Sequence, residues 1–254
     1  MNDLTVVGVD GSTSSKRALD WAADRVATRG GRLDMTTTWL DGRPVHELVR
    51  RSATAGLVVL GTDKSPDASG PRVGTLPLTV AAKAECAVAV IPDIGRARRS
   101  GVLAGIDRSP QALTALATAI REAGWLGADV TALHAWNVPP VLEDELLPHV
   151  HPDPRFEEAQ LALVVDAIDQ VATSEAVRIV PEVVRQNPAA ALIERARNAE
   201  LLVIGTRGRG RIASSVLGSV SHDVLTNITS PVIVVGDEYE FVAADLLPES
   251  EEDW

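Results

Sequence analysis

The residues with the clearest chemical capacity lie in one stretch, Leu201 to Val220, LLVIGTRGRGRIASSVLGSV. It opens on an apolar run, Leu201 to Ile204, whose branched side chains predict a buried strand. Gly205 and Gly208 follow at once, and Gly218-Ser219 come ten residues after Gly208. From Ser219 onward Val220, Val224 and Ile228 recur at four-residue spacing, which predicts a helix. A glycine turn between strand and helix suits a phosphate. Bare glycines let backbone N–H groups approach it, and the helix N-terminus adds unpaired donors and partial positive charge. Ser219 contributes a hydroxyl, and Val220 is the next residue of that first turn. Arg207, Arg209 and Arg211 alternate through the loop, where guanidinium groups can screen phosphate charge.

The spacing is glycine, two residues, glycine, nine residues, glycine-serine. It resembles the ATP-binding signature of the universal stress protein family, with three glycines, a hydroxyl residue and the flanking strand and helix all in register. Two other phosphate motifs fit less well. No glycine-lysine-serine/threonine is present, so an ordinary P-loop is excluded. Gly208, Gly210 and Ala213 form a GxGxxA string, but no acidic residue follows about 20 positions on at the end of a next strand. A solvated glycine loop without a ligand is the remaining reading of these residues.

The elements that must position this loop occur twice. VVGVDGS pairs with LAGIDRS, setting Asp10 against Asp107 at an offset of 97, and Trp39 pairs with Trp136 at the same offset. Further on, Pro44 pairs with Pro188, Gly61 with Gly205, and Gly74-Thr75 with Gly218-Ser219, at an offset of 144. The second copy therefore holds 47 residues that the first lacks, between Trp136 and Pro188. Each copy alternates strands and helices, which implies a parallel sheet covered on both faces. In the first copy the expected strands are Leu4–Val9, Leu33–Trp39, Leu57–Leu60 and Ala87–Ile91. In the second they are Gly101–Ile106, Val130–His134, Val177–Val183, Leu201–Ile204 and Val232–Val235. The fold class is thus α/β, with two tandem open parallel-sheet units and the first short of one helix and one strand. The expected units are 1–94 (shortened and degenerate), a linker at 95–100, 101–236 (complete), and an acidic tail at 237–254.

The resemblance covers nearly everything except the tail, and it implies more than the residues do alone. It implies five-stranded sheets that pair through their final strands, making an intramolecular pseudo-dimer, with a homodimer of whole chains also open. It implies ATP as ligand, with any Mg2+ arriving on the nucleotide. Asp107 matches the family aspartate near the adenosine, although a turn with Ser109 would equally explain it. Ala135, just after His134, matches the position whose backbone meets the adenine edge. Gly205, Gly208, Gly218 and Ser219 match the phosphate loop. In the first copy Asp10, Gly61, Gly74 and Thr75 persist, but Lys64 replaces the second glycine, and that half is expected to be structural.

Composition limits the alternatives. Residues 1–100 carry a net +3, residues 101–236 a net −6 and residues 237–254 a net −8, within a total of −11. Such a surface argues against nucleic acid, and no apolar run is long enough to span a membrane. The start, MNDLTVVGVDGS, has no basic-then-apolar leader, so a cytoplasmic protein is expected. The single Cys86 precedes an apolar run and reads as a buried structural thiol. His149, His151 and Asp153 lie among prolines, a poor zinc site. His134, on an apolar strand end, reads as a packing or hydrogen-bonding residue. No nucleophile–base pair or paired carboxylates argue for an enzyme, and slow ATP hydrolysis is the most expected. Two rivals to an ATP-binding stress-response module stand beside it. One is a nucleotide-independent interaction protein with an unknown protein partner, using the pseudo-dimer surface or the tail. The other is an ATP-dependent transferase or ligase, which would need a loop after the first strand that Asp107-Arg108-Ser109 does not supply.

Overall fold

The computed structural model describes residues 4–29, 43–62, 74–93, 99–137, 154–171, 176–206 and 216–236. The expected strand Leu33–Trp39, most of the linker and the acidic tail lie outside these residues. Seven helices and eight strands are described. In chain order they are β1 Thr5–Val7, α1 Thr13–Thr28, α2 Pro44–Ser52, β2 Leu57–Thr62, α3 Thr75–Lys83 and β3 Ala87–Pro92, then β4 Val102–Gly105, α4 Pro110–Leu126, β5 Val130–Trp136, α5 Pro154–Val171, β6 Ile179–Arg185, α6 Pro188–Ala196, β7 Leu201–Gly205, α7 Ser219–Thr226 and β8 Val232–Val235. Helix α5 and strand β6 fall inside the 47 residues that distinguish the second copy.

All eight strands form one sheet in the order β1-β2-β3-β8-β7-β4-β5-β6. Every neighbouring pair is parallel except β3 and β8, which run antiparallel. The two copies thus join through their final strands. Strands β3, β7 and β8 (AVAVIP, LLVIG and VIVV) are apolar on both faces because helices cover both. One face carries α1, α4 and α5, with Ala18, Leu116 and Val164 fully buried against it. The other carries α2, α3, α6 and α7, with Val80, Leu192 and Leu225 packed there. Alanine does much of this packing: Ala115, Ala119 and Ala123 recur at four-residue spacing along α4 and are completely buried. Small side chains on that stripe let the helix lie close to the sheet, which suits a chain with so few aromatic residues.

Helix limits follow from local chemistry. Ser109 caps α4 by accepting from the Ala112 N–H at 3.3 Å, Pro110 occupies its first position, and Gly127 ends it with a left-handed φ of 62°. Asn187 and Pro188 start α6 in the same manner.

Two consequences can be measured. A Cβ placed on Gly61 would lie 2.3 Å from the Ser14 carbonyl oxygen and 2.8 Å from the Ser15 nitrogen, both backbone atoms that cannot rotate away. Gly61→Ala should therefore cost at least ~2 kcal/mol in urea unfolding; an unchanged midpoint would contradict this packing. Cys86 is buried, and burial pushes its thiol up to about 12. A thiol reagent at pH 8 should modify it only at the rate of unfolding, so fast modification of the native protein would be inconsistent with its place in the core.

Candidate functional site

Sheet order creates the site. Strand β4 has β5 on one side and β7 on the other, with α4 leaving toward one face while α6 leads into β7 on the opposite face. The chain diverges there, and open α/β sheets leave a crevice at such a point beyond the carboxyl ends of the strands. A pocket of about 260 Å³ occupies it. Its floor is Gly105 of β4 with Ile106 just beyond it, Leu133 to Ala135 from β5, and Ile204 with Gly205 from β7. Pro188 and Leu192 of α6 and the first turn of α7 complete the wall. Gly105 cannot be larger without disturbance, since a Cβ there would sit 3.1 Å from Ile204 Cγ2.

Most of this lining is apolar, and its polar side chains include Asp107, Ser109, Ser219 and Ser221. Asp107 Oδ1 accepts from the Ser109 backbone N–H at 2.8 Å and from the Ser109 hydroxyl. Both bonds fall on one carboxylate oxygen, and Oδ2 takes none among the described residues. Asp107 therefore braces the turn, while the helix cap itself is Ser109. The same arrangement recurs in the first copy. There the Ser12 N–H donates to Asp10 Oδ1 at 2.9 Å and Ser12 Oγ caps α1. The hydroxyl and N–H of Ser12, and then the Ser15 hydroxyl, hold the Asp10 carboxyl down at about 2. Bracing a turn is thus a property of the Asp-x-Ser motif in both copies. Only in the second does it border the pocket.

His134 is buried with both ring nitrogens engaged. Nδ1 lies 2.8 Å from the Ile106 carbonyl, which can only accept, so this nitrogen carries a proton. Nε2 lies 3.1 Å from the side-chain amide of Gln160 on α5. His134 is a hydrogen-bonding residue that ties the β4 end to α5, as its apolar setting predicts.

Of the three helix N-termini at the pocket, two are closed by side chains and one is not. Ser109 caps α4 and Asn187 caps α6, whereas α7 begins at Gly218 with no side-chain cap. Gly218 is extended (φ −63°, ψ 157°), and its N–H donates to the Thr206 carbonyl at 2.8 Å. The N–H groups of Ser219, Val220 and Ser221 have no acceptor within the helix by geometry. Ser221 Oγ donates instead to the Gly205 carbonyl at 2.7 Å, fastening this turn to the end of β7. The arrangement presents backbone donors and a positive helix end beside an apolar cleft.

The structure thus gathers Asp107, Ala135, Gly205, Gly218, Ser219 and Val220 around one pocket. Arg207 and Gly208, with Arg209 and Arg211, lie outside the described residues, as do Lys64, His149 and His151. Ser221, Leu192 and Gln160 were not anticipated. Ser221 could have been found from the 144-residue offset, which sets it against Pro77. In the first copy that proline occupies the third position of α3, where it supplies neither hydroxyl nor N–H.

Comparison with known proteins agrees with this architecture. The family model described as "Universal stress protein family" matches residues 100–236. Universal stress protein Rv2005c of Mycobacterium tuberculosis is 34% identical over 195 residues, covering 75% of this chain and 65% of the relative. Universal stress protein Rv1996 of the same organism is 32% identical over 226 residues, covering 82% of this chain and 67% of the relative. The chain thus spans about 65% of the length of the first of these relatives. Among solved structures, a universal stress protein from Archaeoglobus fulgidus superposes with a TM-score of 0.61 at 18% identity, over 92% of this chain and 85% of that one. The fold, the doubled strand–helix pattern and these matches together mean that the chain belongs to the universal stress protein family.

Proposed function

We propose that this protein is a regulatory module that binds an adenine nucleotide, ATP in the first instance, in the pocket of its second half. The observation that carries the reading is the uncapped start of α7 beside an apolar cleft whose other two helix starts are capped. The cleft, at about 260 Å³, is slightly smaller than the ~300 Å³ at which small-ligand sites begin. That volume suits the nucleoside part, with the phosphates lying outward over α7. Ile106, Leu192 and Ile204 would pack on the base, and the backbone at Ala135 would meet its edge. Asp107 would accept from the ribose hydroxyls through Oδ2. The N–H groups of Ser219 to Ser221 would receive phosphate oxygens, at ~0.3–2 kcal/mol for the helix-end electrostatics. Gly205, Arg207 and Gly208 would complete the loop, and Mg2+ would enter with the nucleotide.

The first half has a structural role in this reading. Pro77 removes two polar groups at the position of Ser221, and the Ser14–Ser15 backbone packs directly on Gly61. We read the protein as a binder with at most slow hydrolysis, because His134 and Asp107 Oδ1 are already committed to structural hydrogen bonds. A cytoplasmic location belongs to the same proposal. It accords with the absence, among the described residues, of a helix long and apolar enough to cross a membrane.

Calorimetric titration of the whole chain with ATP and magnesium should give one site per chain. Gly218→Asp is the informative variant. Its backbone is compatible with any residue, and aspartate is a good helix cap, so the free protein should keep or gain thermal stability. The new carboxylate would occupy the phosphate donors and repel the ligand, lowering affinity at least ~10-fold. Two sites per chain would overturn the structural role of the first half. No heat and no thermal shift at millimolar ATP would sink the nucleotide reading and favour a nucleotide-independent interaction protein.

A further inference from the structure

The junction between the halves obeys a two-fold axis, and the residues on that axis differ in kind. In the β3–β8 ladder Val88 pairs with Val234, Ala89 with Ile233 and Val90 with Val232. At the 144-residue offset Val88 corresponds to Val232, Ala89 to Ile233 and Val90 to Val234. The outer pairs therefore exchange equivalent residues, while Ala89 faces its own counterpart. That is the signature of a two-fold axis through Ala89 and Ile233.

The helices above the strands repeat this. At the 97-residue offset Arg25 of α1 corresponds to Glu122 of α4. These two also face each other: Arg25 Nη2 donates to Glu122 Oε1 at 2.6 Å and Arg25 Nε donates to Oε2 at 3.0 Å. The Glu122 side chain is 4% exposed and that of Arg25 12%, so this is a buried bidentate pair. Arg29 adds a bond to Glu122 Oε1 at 2.7 Å and lies over the Trp125 ring at 3.4 Å. Its mirror contact would join Thr28 to Leu126, which has neither charge nor ring.

A residue on a true two-fold axis meets a copy of itself. Opposite charges there require two different sequences. We propose that this junction selects its partner: it admits a first half against a second half, and rejects self-pairing of either half through the same surface. Two second halves would bury Glu122 against Glu122 and crowd Ile233 against Ile233. Two first halves would bury Arg25 against Arg25 and leave a gap between paired Ala89 residues. Charge and volume thus discriminate in the same direction, on the same face of the sheet.

Single variants of the full chain reproduce the rejected contacts within one molecule. Arg25→Glu recreates the glutamate–glutamate meeting of two second halves, and Glu122→Arg recreates the arginine–arginine meeting of two first halves. Each should raise the unfolding equilibrium constant at least ~100-fold, as expected when a buried pair loses its complement. The exchanged double variant R25E/E122R, which keeps the same set of charges, should regain more than half of the summed loss in urea unfolding. If a single variant does not fold, recovery of a folded double variant supports the proposal equally. Single variants with unchanged midpoints, or a double variant that loses the sum or stays unfolded, would overturn it. The volume pair offers an independent arm: Ala89→Ile and Ile233→Ala should each destabilise, and their combination should recover. Strict additivity there would also count against a junction selected by complementarity.

Discussion

The rest of the molecule depends on the antiparallel ladder between β3 and β8. Each half ends on a strand that would otherwise be an open edge with unpaired N–H and C=O groups. Joining them turns two small sheets into one of eight strands and lets both helical layers run across the seam. The need is greatest in the first half, where residues 1–94 are few for an independent core. Its α1 rests on β2 and β3 of its own half and reaches α4 across the axis through Arg25, which donates to Glu122. The buried Arg25–Glu122 pair sits at that crossing. Its net contribution against a hydrophobic alternative is small, but its loss on mismatch is large. That asymmetry is what makes it a device for pairing rather than for raw stability.

The same sheet order also sets where chemistry can occur. Strand β4 lies between β5 and β7, which are reached through α4 and α6 on opposite faces of the sheet, and this opens a crevice that loops alone would not create. Three helices aim their N-termini at it, yet the sequence closes two with Ser109 and Asn187 and leaves α7 with Gly218. A glycine there forgoes only about a few tenths of a kcal/mol of capping. In the proposed reading, the backbone donors it leaves open are the ones that meet phosphate. In the first half the same glycine remains at Gly74, but Pro77 and the close approach of Ser14 to Gly61 alter the surroundings. Local motif and global site have come apart in that half, and Asp10 keeps its turn without bordering the second-half pocket.

Much of this was legible in the residues because short, unbroken apolar runs mark strands buried on both faces, as in LLVI and VIVV. Ser109-Pro110 and Asn187-Pro188 announce helix starts for equally local reasons. The doubled pattern followed from two constant offsets, and the fold class from alternation. What the sequence left hidden is what depends on two distant segments meeting. Glu122 reads as one more charge on a helix; only its burial against Arg25, at its own equivalent position, reveals the pairing device. Gln160 reaches His134 from within the inserted residues, which the first copy cannot be used to align. Ser221 was visible in principle, but its meaning required knowing that its hydroxyl fastens the α7 turn to Gly205.

Amide hydrogen exchange of the full chain, measured with and without ATP and magnesium, tests the central claim most directly because it locates ligand rather than merely detecting it. Slowed exchange at Asp107–Ser109, Ala135, Gly205–Gly208 and Gly218–Ser221, with Gly74 to Leu76 unchanged, is the predicted result. Protection at Gly74 to Leu76 instead, or no protection at Gly218–Ser221 under saturating nucleotide, would contradict the account.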